Sequence, residues 1–255
     1  MTRVAILTRD AVLPDRSSLE RALRSHHLDA HSLEAGLVEL GGAKVRLSAV
    51  SGPVPNAEAD TSAFLSLSAV NGRWRLAPHQ AHLVLTLEGA MSAPAPGLLG
   101  RLSGATRAAT SLERLTHFTK LAAAVTQATG GIGVHWSAGP VTHSPEFFAE
   151  LARSSPLPLP LWLGVSLTPE PGGRQSVLSF GMQQLSLPDL LLTGPGGDEL
   201  PDTIDFFFSA LATVAEAGVA PRDGDSIPRS LLSRPRVSYG VSPVDGARVW
   251  KLDVS

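Results

Sequence analysis

Five side chains in one stretch carry most of the reactivity of this chain: His117, His135, Trp136, His143 and Glu146. His135 and His143 flank a turn, and Glu146 follows at the start of a helix. With His117 they form a candidate catalytic set, and imidazole with carboxylate is the donor chemistry of a metal-assisted or acid–base hydrolase. Their spacing matches no compact metal motif such as His-Glu-x-x-His, so no metal site is assigned. The alternative reading places them as polar groups on strand ends and a helix surface. His26, His27 and His31 sit at a helix end and in a loop, where a cation favours the helix dipole.

Other reactive types give less. Ser137-Ala138-Gly139 and Ser179-Phe180-Gly181 are not the Gly-x-Ser-x-Gly elbow of a serine hydrolase. Gly194-Pro195-Gly196-Gly197-Asp198 precedes a helix but lacks the Lys-Ser/Thr ending of a phosphate loop, and Asp198, Glu199 and Asp202 would repel phosphate. Glu88 stands just past an apolar strand and Asp189 follows Pro188 within an apolar stretch, either as buried acids or as strand-end groups bonded to backbone. Trp74, Trp136, Trp162 and Trp250 are candidate pocket walls or core anchors. Trp136, Gly181, Met182 and Asp189 are the candidate binding residues.

The elements that must position these groups follow from periodicity. Thr110-Ser111-Leu112-Glu113 reads as a capping box. Leu112, Leu115, Phe118, Ala122 and Val125 then make one apolar stripe, and Gly130-Gly131 stops the helix. Ile132 to Trp136 is a short strand, Pro140 to His143 stays extended, and Ser144-Pro145-Glu146 opens a capped helix. Before this stretch, Arg3 to Thr8 predicts a strand. Pro14 to His27 predicts a helix capped by Ser17, with Glu20 closing the box. Lys44 to Val50 alternates as a half-buried strand, and Val54 to Asp60 reads as loop. Ala63 to Ala69 reads as strand, Asn71-Gly72 as a hairpin turn, and Ala81 to Leu87 as a central strand. Met91 to Gly104 reads as a connecting loop.

The second half predicts strands at Leu161–Leu167 and Ser176–Phe180, with Gly181 to Leu185 extended or bulged. A strand then starts at Pro188, on the edge of its sheet because of that proline. Asp202 to Gly218 is an amphipathic helix, and Arg236–Val241 and Arg248–Val254 pair across Asp245-Gly246. The order implies an α+β fold of mostly antiparallel sheets with helices on one face, an order that two ferredoxin-like halves would also satisfy. It is read as a single compact unit over 1–255, or as subdomains 1–100 and 105–255 split near Pro94–Gly104 or Ser154–Pro160. Four main helices are too few for a doubly wound parallel sheet of this length.

Composition removes several function classes. Hydrophobic residues make up 43% of the 255 and charged residues 17%, with a net charge of −2. The basic residues are not clustered, which argues against a nucleic-acid partner. Cysteine is absent, so disulfides, thiolate metal sites and cysteine nucleophiles are excluded. The apolar run after Met1 is too short for a signal peptide, and no run approaches the ~20 apolar residues of a membrane helix. A cytoplasmic protein with no membrane partner is expected.

Several segments together resemble an uncharacterised bacterial family, domain-of-unknown-function family 4261. They are Ala81-His82-Leu83-Val84-Leu85, then Gly133-Val134-His135-Trp136, then Val141-Thr142-His143-Ser144-Pro145-Glu146-Phe147-Phe148. Leu161-Trp162-Leu163-Gly164-Val165 and the run from Ser179 to Leu190, with its Gly-Met and Leu-Pro-acid steps, complete the likeness. It spans about residues 80–215. The resemblance leads one to expect a small or aromatic residue where His135 stands. It implies proteins found in bacterial conflict settings, some of which are thought to neutralise toxins, and it brings no established activity.

The function expected is a non-enzymatic binding protein of immunity or regulatory type, with another protein as partner and no cofactor. The alternatives are a metal-dependent hydrolase using the His/Glu set, and a scaffold subunit of a homo-oligomer.

Overall fold

The structure, a computed structural model, describes residues 2–28, 32–34, 36–40, 43–70, 74–88, 98–230 and 233–254. The expected Asn71-Gly72 turn, His31 and the start of the expected Met91–Gly104 loop lie outside them. The chain forms two compact units that interleave in sequence: residues 1–91 with 110–164, and residues 92–109 with 165–255. The expected boundary between 100 and 105 is therefore not where the chain divides. The strands β6 and β7, described below, belong with the N-terminal part.

In the first unit the elements run β1 (Thr2–Thr8), α1 (Arg16–Ser25), β2 (Ser32–Glu34), β3 (Leu37–Leu40), β4 (Ala43–Ser51), α2 (Glu58–Ser62) and α3 (Leu67–Val70). Then come β5 (Ala81–Leu87), α4 (Leu98–Thr129, in this unit from Thr110 onward), β6 (Gly133–Trp136), β7 (Val141–His143), α5 (Pro145–Ser154) and α6 (Leu159–Trp162). The sheet order is β2-β3-β4-β5-β1-β6-β7, with every pair antiparallel. Its middle, β4-β5-β1-β6, has the strand order of a split β-α-β unit, the ferredoxin-like arrangement. The β2–β3 hairpin and β7 extend its two edges.

Local chemistry explains most boundaries. Helix α1 starts two residues earlier than Ser17 predicts, because the Asp15 carboxylate accepts the Ser18 amide at 2.9 Å. Glu20 pairs with Arg16 instead of closing a box. Thr110 does not cap α4 either; the helix already runs from Leu98, and Leu98–Gly104 is helix where a loop is predicted. The predicted stripe holds, with Leu112, Leu115, Phe118, Ala122 and Val125 all buried. Gly130, at φ +62°, ends the helix, and the Gly131 amide returns to Thr126 O. Ser144 caps α5 as expected, accepting from Phe147 N at 3.2 Å. Ala63–Leu65 is a 3-10 turn followed by α3, not a strand. Helix α6 replaces the start of the strand expected from Leu161, since Pro158 and Pro160 suit a short helical turn better than a ladder.

Residues alternate between the two faces of this sheet. Gly131, at the end of α4, sits against the Ile6 side chain, so the Val4/Ile6 side of β1 faces the long helix. A Ser25–Gln127 hydrogen bond joins α1 to α4. On the other side, Ala5 and Leu7 pack with Val54 and Ala59 from the segment that leads into and forms α2.

The second unit holds β8 (Gly164–Glu170), β9 (Arg174–Phe180), β10 (Leu190–Pro195), α7 (Leu200–Ala217), β11 (Ser238–Val241) and β12 (Arg248–Asp253). Its sheet order is β11-β12-β10-β9-β8, and β10 and β12 run parallel. This is not a second ferredoxin-like half. Pro188 precedes β10 without confining it to an edge, because β10 is the middle strand. Helix α7 lies on the Leu190/Leu192 face, held by a Thr203 hydroxyl donating to Pro195 O, and Gly218 at φ +65° stops it.

Candidate functional site

The β6–β7 hairpin carries two of the candidate histidines, and its register separates them. His135 pairs with Thr142, whereas His143 pairs with Val134. Paired residues share a face and neighbours in a strand alternate, so the two imidazoles leave opposite sides of the sheet.

His143 is fully buried. Its Nε2–H donates to Leu161 O at 3.3 Å, and its Nδ1 lies 2.7 Å from Ser66 Oγ. A carbonyl only accepts, so Nε2 carries the proton and Nδ1 accepts from the Ser66 hydroxyl. Ser66 Oγ in turn lies 2.7 Å from Ser68 Oγ, which takes the Ser144 amide at 3.4 Å. Burial without an anion pushes the His143 pKa down to about 3, against the help of the Leu161 carbonyl. The rings of Phe147 and Phe148 pack beside it at 5.5 and 6.0 Å. The Ser66–His143 pair has the composition of a nucleophile and base, but both groups are sealed in.

His135 is 1% exposed. Its Nδ1 is 2.9 Å from Thr142 Oγ1. Its Nε2 makes no hydrogen bond and faces Glu58 Oε1 at 3.5 Å, with the Glu58 side chain half exposed. Burial lowers its pKa most, and Glu58 opposes this. On the same face lies His82, whose partner on β1 is Leu7. His82 Nδ1–H donates to Gly52 O at 2.9 Å, and His79 Nε2 accepts the Val54 amide at 3.0 Å.

The remaining candidates lie apart. Glu146 is exposed in the first turn of α5. His117 is half-buried on α4. Among the described residues no three His, Asp or Glu side chains converge as a metal-binding group. The His/Glu set expected from spacing is thus not one site.

The candidate binding residues are interior. Trp136 is fully buried, stacked on Trp162 at 6.2 Å and edge-on to Phe118 at 5.6 Å. The Trp162 indole N–H donates to Thr119 Oγ1 at 2.7 Å. Gly181, Met182 and Asp189 are buried together in the second unit. Gly181 adopts φ +114° and starts a 3-10 turn, Met182–Leu185, where an extended or bulged strand is predicted. Asp189 organises that turn. Its carboxylate accepts from Ser179 Oγ at 2.8 Å, Met182 N at 3.1 Å and Gln183 Nε2 at 2.7 Å. Burial raises its pKa, and the Met182 amide and Ser179 hydroxyl oppose the rise.

Sequence reasoning missed Ser66, Glu58 and His79. The only local signal was two histidines, His79 and His82, just ahead of and inside an apolar strand. On the surface of the first unit, a groove of about 660 Å³ lies between the β1–α1 turn and the end of α4, with Arg9, Asp10, Val12, Leu13, Asp15 and Thr129 among its walls. Val12 is 66% exposed beside it. Elsewhere on this unit Phe64 is 83% exposed. Among the described residues no helix is long and apolar enough to cross a membrane. No family model, curated protein or solved structure matches the chain.

Proposed function

We propose that this protein acts by binding another protein, through the surface of its first unit around the β1–α1 turn. The observation that carries this reading is the disposal of its side chains. His135 and His143 are turned inward and bonded to hydroxyl or backbone groups, while the apolar side chains Val12 and Leu13 stand at the rim of the groove. Burial of large apolar groups is the main source of affinity between proteins, so exposed ones beside a concavity suit association. The resemblance noted in the sequence points the same way, to an immunity-type or regulatory partner acting in the cytoplasm. The second unit adds a buried-carboxylate turn around Asp189 whose contacts are structural.

The test is a native pull-down of the tagged chain from the organism that encodes it, read by mass spectrometry. A stoichiometric protein partner is expected, lost in a Val12→Asp, Leu13→Asp variant that keeps the wild-type melting temperature. Recovery of the chain alone, or a partner retained by the variant, overturns the reading.

A further inference from the structure

Four histidines, three on strands of the sheet and His79 just before β5, hold one segment of the first unit in place. Between Gly52 and Ser68, Gly52 O takes the Nδ1–H of His82, the Val54 amide donates to His79 Nε2, Glu58 faces His135 Nε2, and the Ser66 hydroxyl donates to His143 Nδ1. All four rings are at least nine-tenths buried, at 6%, 8%, 1% and 0% exposure in that order. The apolar hold on the segment is small. Of its side chains only Val54 and Ala59 are buried apolar groups, and its largest, Phe64, points outward at 83% exposure. Two adjacent non-glycine residues, Asn56 and Ala57, have φ of +58° and +53° just before α2. Left-handed backbone at an alanine is strained, and such strain is relieved when a segment lets go.

We propose that Gly52–Ser68 is a hinged cover that lies over the Ala5/Leu7 face of the sheet and reaches His143 round the β7 edge at its Ser66 end, latched by neutral imidazoles and released by their protonation. Two latches depend on a bare ring nitrogen. His79 Nε2 accepts from Val54, and His143 Nδ1 accepts from Ser66; a proton on either nitrogen removes the acceptor. The His82 bond is made in both protonation states, because Nδ1–H is the donor. His135 sits between opposing influences.

The charged and titratable neighbours are few. His79 faces Asp60 from α2, which favours its charge, and His82 from β5, which opposes it. His135 faces Glu58 from α2 on one side and His79 and His82 on the other. His143 packs against the two phenylalanine rings of α5, and the charge of His135, on the far face of β6, opposes its own. In each of these three rings burial outweighs the attractive neighbours and lowers the pKa. Opening returns them to water, where imidazole titrates near 6.5, so opening takes up protons below that pH. The closed cover is favoured above about pH 6.5 and weakens as pH falls. What opens is an apolar face: Ala5 and Leu7, with Leu76 and Ile132 packed against them. This inference stands apart from the proposed protein partner and survives if that partner does not exist.

The experiment is hydrogen exchange on the full chain from pH 7.5 to 5, corrected for intrinsic exchange. The amides of Val54 and Ser66 are compared with those of β1 and β5. The expected result is an opening constant for the cover that rises up to about 1000-fold per pH unit below pH 6, one proton for each of the three rings that burial keeps neutral, while β1 and β5 stay protected. In His79→Gln, whose side-chain oxygen still accepts from Val54 N but does not titrate, the rise falls to about 100-fold per pH unit. Protection of the cover that stays constant across this range, or that falls only in step with β1 and β5, overturns the proposal. An unchanged slope in His79→Gln does so too.

Discussion

His143 is held as a neutral hydrogen-bonding group, with Ser66 giving to one nitrogen and Leu161 O receiving from the other. Such a group links pH to stability. In the unfolded chain it takes a proton near pH 6.5, while in the folded chain it resists until about 3. The unfolded state therefore binds more protons between those values, and folding stability falls as pH drops through that window. Each pH unit below 6.5 removes about 1.4 kcal/mol on account of this ring. His143→Gln is expected to be less stable than wild type at pH 7.5 by about 2 kcal/mol, and to depend less on pH. Urea midpoints at pH 7.5 and 5 check both; an equal fall in the two proteins would remove His143 from the account. Asp189 is the counterpart in the second unit. Asp189→Ala leaves the Ser179 hydroxyl, the Met182 amide and the Gln183 amide without their acceptor. A loss of about 2–4 kcal/mol is expected in chemical denaturation, since stranded buried donors keep their desolvation cost. A change under ~0.5 kcal/mol would mean that water replaces the carboxylate.

The β6–β7 hairpin decides which candidate groups meet. Its register sends His135 toward Glu58 and His143 toward the α4 side, so two imidazoles eight residues apart never share a site. The turn between the strands leaves no room at Gly139, where an added Cβ would sit 1.8 Å from Trp162 O. Backbone on backbone cannot relax cheaply. Gly139→Ala is expected to lower the melting temperature by many degrees, whereas Gly172→Ala, in open space at φ +77°, is expected to cost only about 1 kcal/mol. Circular dichroism melts separate the two, and similar melts would show that the hairpin shifts to admit a methyl. Elements with their own caps and stripes were legible: α5 behind Ser144, the inner half of α4, and α7 ending at Gly218. The cover segment was not. Ala63–Ala69 has apolar residues in near alternation, and only its contacts with His143 and Gly164 favour compact turns over a strand.

Across the whole molecule the interleaving of the two units has a direct consequence. Strand β1 pairs with β5 on one side and with β6 on the other, and β6 arrives only after the long helix. A fragment of residues 1–100 keeps the first pairing but loses β6, β7 and the α4 residues from Thr110 onward that bury the Ile6 side. It is expected to lack the cooperative thermal transition of the full chain. A sharp melt in the fragment would show that the N-terminal strands fold alone.

From the sequence alone came the α+β class, the main helices, the β1 and β5 strands and the absence of thiol chemistry. Those follow from composition and from spacing within a single element, which local backbone geometry reads directly. Tertiary structure alone decided that β12 lies parallel to β10, that the units share the chain out of order, and that His79, His82, His135 and His143 all grip one segment. Those outcomes depend on strand register and on which distant elements pack together. A shift of one residue in a strand exchanges its two faces, and the spacing of histidines along the chain carries no record of that choice.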